Sequence, residues 1–226
     1  MRAVAQGIAL ALALAAAQGT GHERLDALIA EAEAADANAD PAGYHAKFVA
    51  ALEEARKFYQ PGSPQIAERE LGVATGLAAQ QKFAEAGPML ARLMPVLEAN
   101  QPAFRKGLMD ALSLQGYIAT FTGDHATAVA AMGKSLAIHR EVAAGMPNLE
   151  LAKALSNMAG VLREAGNPAK ALLYNTEALA MLPALDPPPP EGALWYANQR
   201  TDMKPGQPDS QWTLAVKSGT FKERSR

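Results

Sequence analysis

The chain contains no cysteine. That excludes disulfides, thiolate metal sites, a thiol nucleophile and any lipid carried on a cysteine after removal of a leader. Aromatic residues make up only 6% of the 226 residues, and β-branched runs are few, so the pleated, half-buried surfaces on which strands depend are poorly supplied. Histidine is scarce: there are four, and they are scattered. His22-Glu23 opens like a zinc-helix motif, but the second histidine that HExxH requires one turn on is replaced by Asp26. His45, His125 and His139 read as surface residues. Neither a GxSxG elbow nor a phosphate-binding glycine loop followed by Lys-Ser/Thr occurs, and carboxylate pairs such as Glu53-Glu54 read as solvated helix faces. With no constellation of catalytic or ligating residues, no enzyme activity, metal or cofactor is expected. Charge of one sign is also lacking. The 21 basic and 23 acidic side chains sum to −2, which leaves no basic field for nucleic acid. No apolar run reaches the roughly 20 residues needed to span a membrane.

What the chain does have is alanine in abundance, a composition that favours close-packed helices. Residues 1–17 read as a cleavable leader: Arg2 precedes the apolar stretch Ile8 to Ala17, and Ala15-x-Ala17 offers small residues before Gln18. The mature protein is expected to be exported, periplasmic or secreted.

Self-similarity then organises the rest. The segment Ala154 to Pro183 carries small residues at Ala159, Ala171 and Ala178, with Gly166 in a turn and Pro183 at the end. A hairpin of two helices explains these spacings: small residues let the axes approach where they cross, and Leu155, Met158, Leu162, Leu172 and Leu179 fill the space around the crossing. Asn167-Pro168 supplies an N-cap and a first-turn proline. The frame recurs 43 residues earlier in Gly116, Gly123, Ala128 and Ser135, with Asp124 as the N-cap. A further 42 residues back it places Ala74, Gln81, Ala86 and Leu93. The second helix of that copy is expected to be kinked, because Gly87-Pro88 and Pro95 fall inside it and an interior proline costs roughly 3 kcal/mol. A fourth pair, residues 22–38 and 41–59, follows from apolar spacing and from Asp40-Pro41.

These anchors resemble the tetratricopeptide repeat, and the spacing of 42 to 43 with Leu155-Ser-Asn-Met-Ala is similar to its kinesin-light-chain variety. The resemblance implies an all-α fold: a right-handed superhelix of about four antiparallel helix hairpins with an irregular C-terminal tail. The expected organisation is a leader at 1–17, a degenerate helical pair at 18–63, repeats at 64–185, and a Pro-rich linker and tail at 186–226. In such a solenoid the first helix of each unit lines the concave wall. The candidate partner contacts are therefore Asp110, Ser113, Tyr117, Lys153, Ser156, Asn157 and Arg163, and an asparagine placed like Asn157 grips the main chain of an extended peptide. Tyr117 is open to a second reading, as part of the packing, and Asn157 to one as a bond to a neighbouring helix. The two-repeat carboxylate clamp of some members is not matched, since Asp110 and Leu114 stand where Lys153 and Asn157 stand one unit later.

The tail after Pro187–Pro190 carries six basic and four acidic side chains and is expected to be irregular, with Trp195, Tyr196 and Trp212 available to cap the last repeat. The expected function is an exported scaffold that holds a protein or extended peptide in its groove. Two alternatives stay open: an envelope hydrolase whose residues come from separate helices, and a self-assembling repeat protein.

Overall fold

The computed structural model describes residues 22–184; the leader and the tail lie outside the described residues. Every regular element among them is helical. They are α1 (residues 22–33), α2 (Pro41–Ala55), α3 (Pro64–Ala79), α4 (Phe83–Ala99), α5 (Arg105–Phe121), α6 (His125–Ala143), α7 (Leu149–Glu164) and α8 (Pro168–Met181), closed by a 3-10 turn at Leu182–Ala184. The fold is the all-α repeat solenoid expected, with four hairpins. From α2 onward each helix packs on the next, and α3 also touches α5 as α5 touches α7, so the first helices of successive units lie side by side.

Local chemistry sets the boundaries. Asp40, Ser63, Asp124, Asn148 and Asn167 are N-caps whose side chains accept from backbone N–H groups of the first turn, and prolines 41, 64 and 168 begin three of those helices. α1 ends earlier than apolar spacing implies, at residue 33 rather than 38, because the Asp36 carboxylate accepts from the Asn38 N–H at 2.8 Å and holds a turn there.

The anchors behave as the repeat frame requires. Ala74, Ala86, Leu93, Ala128, Ser135, Ala159 and Ala178 are at most 4% exposed. A Cβ on Gly116 would lie 2.8 Å from the Met132 side chain, which packs into the space the glycine leaves where α5 and α6 cross. One apolar cluster runs from Leu25 to Tyr117 and a second from Ala119 to Leu182, dividing within α5.

α4 is helical from Phe83 to Ala99 with Pro88 and Pro95 inside it. The prolines are seven residues apart, both exposed, and the residues whose carbonyls they leave unbonded, Ala84 and Ala91, are exposed as well. Carbonyls on this exposed side are open to solvent, and the opposite face keeps the buried stripe Ala86, Leu90, Leu93 and Leu97. Glu54, in turn, is not a solvated face residue. It is 6% exposed and held between Lys57 at 2.8 Å and Arg24 at 3.4 Å; the Lys57 hydrogen bond keeps its carboxyl below the ordinary range.

Candidate partner-binding cleft

The side-by-side placement of α5 and α7, with α6 behind them, opens a small polar cleft. Asp110 and Ser113 come from α5, Met132, Ser135 and His139 from α6, and Glu150, Lys153, Ala154 and Asn157 from α7. Four of the seven residues expected at the partner surface are thus brought together: Asp110, Ser113, Lys153 and Asn157.

The floor is set by hydroxyls. Ser113 Oγ donates to the Met109 carbonyl at 2.9 Å and lies 3.3 Å from Ser135 Oγ, which is itself 3.3 Å from the same carbonyl. Ser135 is buried, so the small residue the helix crossing needs also supplies a polar base. The rim is charged. Lys106 pairs with Asp110 at 2.8 Å and Lys153 with Glu150 at 2.8 Å, all four side chains being substantially exposed. Such pairs contribute at most about 1 kcal/mol and are readily exchanged for another partner.

Between floor and rim lie Asn157 and His139. Among the described residues neither the Asn157 amide nor the His139 ring makes a hydrogen bond. Burial lowers the His139 pKa from its ordinary value of 6.5, and Lys106 acts in the same direction against Glu150 and Asp110. The ring is therefore neutral at pH 7, with one donor and one acceptor nitrogen. Asn157 adds two donors and an acceptor. Together they can satisfy an N–H and a C=O of an extended chain while the floor hydroxyls remain committed inward.

The other three candidates do not line this cleft. Tyr117 is 9% exposed and packs on Phe121 and Phe83, with ring centroids at 4.7 and 6.1 Å. Ser156 is 6% exposed, on the packed side of α7; it precedes Asn157 by one residue, and a 100° turn of the helix separates the two faces. Arg163 is outside the cleft, paired with Glu164 at 3.2 Å. His139 was taken for a surface residue and is the one clear omission. Its signal was present: it stands one turn after Ser135, the buried anchor of α6, and so shares the face that meets α5 and α7.

Among the described residues no cluster of three or more His, Asp or Glu could hold a metal, and no helix is long and apolar enough to cross a membrane.

Residues 107–184, covering α5 to α8, match the tetratricopeptide repeat family. Over this segment, about a third of the chain, the sequence is similar to tetratricopeptide repeats. Repeats of this family bind proteins or peptides and typically act as scaffolds, and the cleft lies within the matched repeats. No curated protein sequence matches the chain. The crystal structure of BtubC (BKLC) from P. vanneervenii is similar at 16% identity and a TM-score of 0.49, over 77% of this chain and 63% of that one. The chain thus spans less than two thirds of the length of that structure.

Proposed function

We propose that the protein is an exported scaffold whose α5–α6–α7 cleft holds an extended segment of a protein partner. The observation that carries this reading is the pairing of Asn157 and neutral His139, two polar side chains with unused hydrogen-bonding capacity in one cleft. An amide and an imidazole so placed suit a main chain better than a particular side chain. Selectivity then falls to the exchangeable Asp110–Lys106 and Glu150–Lys153 pairs at the rim. Export rests on the leader pattern at 1–17.

Both halves of the reading are open to experiment. The full-length chain, expressed in a bacterium with an envelope, is expected to mature to an N-terminus at Gln18; an uncleaved Met1 product removes export from the account. Envelope extracts passed over the mature protein are expected to yield a stoichiometric partner. Its retention should fall about tenfold for each lost hydrogen bond, of about 1.4 kcal/mol, in Asn157→Ala and His139→Ala, with thermal unfolding unchanged. Retention equal to the parent's in the Asn157→Ala, His139→Ala, Lys153→Ala triple variant removes the cleft as the binding site.

A further inference from the structure

The outward face of α8 differs from the same face of the earlier second helices. In α6 that stripe is Ala126, Ala130, Gly133 and Ala137, all small; in α4 it is Ala84, Pro88, Ala91 and Pro95. In α8 the corresponding residues are Ala169, Leu173, Thr176 and Ala180. Leu173 is 70% exposed, where α6 has Ala130 and α4 has Pro88, and its neighbour Leu172, expected to fill the helix crossing, is 54% exposed. Thr176 adds no polar demand, because its hydroxyl donates to the Leu172 carbonyl at 2.8 Å and leaves its methyl free for packing.

The stripe follows the 4-3-4 spacing of a helix-pairing seam, and its composition is self-complementary. We propose that α8 pairs antiparallel with α8 of a second copy about a two-fold axis. In that register Leu173 of each copy packs on Thr176 of the other, and Ala169 on Ala180; small residues around a single large knob let the axes approach. The same register fixes the flanks. On one side Leu172 meets Leu179 of the second copy. On the other side Lys170 meets Glu177 of the second copy, twice by symmetry, so the charges complement one another. Arg140 already holds Glu177 at 2.8 Å and lies 6.0 Å from the Tyr174 ring centre, which keeps the carboxylate at this edge. Lys170 is exposed and forms no ion pair among the described residues. The second copy is favoured over an unrelated partner because one helix supplies both halves of the apolar and the charged match.

Sedimentation velocity on the mature full chain at about 100 µM is the direct test, and its outcome is independent of the cleft. A dimer is expected, converted to monomer by Leu173→Glu; this position is exposed, so the circular dichroism of the variant should match the parent. Lys170→Glu and Glu177→Lys are each expected to weaken the dimer about tenfold through like-charge contact. An equimolar mixture of the two should recover parental association, since each unlike pair is then complementary. A parent that is monomeric, or a dimer indifferent to Leu173→Glu, overturns the proposal. A mixture no tighter than either variant alone overturns the antiparallel register.

Discussion

The α3/α4 hairpin and the two hairpins after it turn the same corner with different residues. At all three turns the first helix closes with a left-handed residue: Gln81 at φ 60°, Gly123 at 80° and Gly166 at 76°. At all three the next N–H reaches back five residues to a helical carbonyl: Lys82 to Leu77 at 2.9 Å, Asp124 to Ala119 at 2.8 Å and Asn167 to Leu162 at 2.8 Å. These are Schellman turns with identical bonding. Only in the later two do glycine and a capping Asp or Asn make that geometry inexpensive. The earlier hairpin is held to it by packing, and the family match begins where the turn residues become explicit. The comparison teaches that a repeat can keep its geometry after its local signals are lost, provided the tertiary contacts are strong enough.

The strength of those contacts sets the largest expected effect. α3 is buried without a break from Leu71 to Ala78, and α2 lies so close that a Cβ on Gly76 would sit 2.7 Å from the His45 Cα, and one on Gly72 1.9 Å from the Phe48 ring. Moving a ring is possible; moving the α2 backbone means separating two helices. Gly76→Ala is therefore expected to destabilise by about 2–3 kcal/mol, read as a lowered urea midpoint, with Gly72→Ala somewhat less. Gly133→Ala on α6 faces open space and is expected to stabilise by about 0.5–1 kcal/mol. A neutral Gly76→Ala would mean that close packing does not hold the early hairpin in shape.

The turns come next. Gln81→Gly is expected to add about 1 kcal/mol by relieving the left-handed strain, while Gly123→Gln or Gly166→Gln should lose a similar amount. α4 also lacks a side-chain cap at Lys82, so Lys82→Asp is expected to add about 1 kcal/mol. Made together, the two changes give α3/α4 the local chemistry of its successors. No gain from the pair would mean that Gln81 and Lys82 are already compensated by contacts elsewhere.

The same contrast explains what could be read before the structure. Gly166, Asn167 and Pro168 name their own conformations, because each residue type has a short menu of backbone roles, and Asp124 and Asp40 cap as read. The Ala and Gly anchors disclosed the crossings through their spacing alone. Pro88 and Pro95 left more open, because the cost of an interior proline depends on whether water can reach the carbonyls it orphans, which is a tertiary property. The cleft was half legible. Asp110, Ser113, Lys153 and Asn157 followed from the helical face, but His139 comes from the second helix of its unit, and its approach to α7 is set by the crossing rather than by any local pattern. Tyr117 and Ser156 show the converse: a polar residue on a first helix says nothing of depth until the neighbouring units are in place.

The smallest expected effect concerns pH and again sets one half of the molecule against the other. His45 on α2 and His139 on α6 both have pKa values lowered from 6.5, chiefly by burial. A group whose folded pKa lies below its unfolded value binds fewer protons when folded. Its contribution to stability is complete above pH 6.5 and is lost as pH falls toward the folded pKa. Urea midpoints should thus be level from pH 8 to about pH 7 and decline below it. His139→Gln and His45→Gln should each remove part of that slope. His139 should also govern the cleft, since protonation eliminates its acceptor nitrogen. Partner retention is expected to weaken over the same interval in the parent and to become flat in His139→Gln. His45→Gln should leave the binding profile untouched, because His45 lies on α2 and is not part of the cleft. If binding loses its pH dependence in His45→Gln instead, the two halves are coupled through α3 and α5, and the cleft is not a property of the later repeats alone.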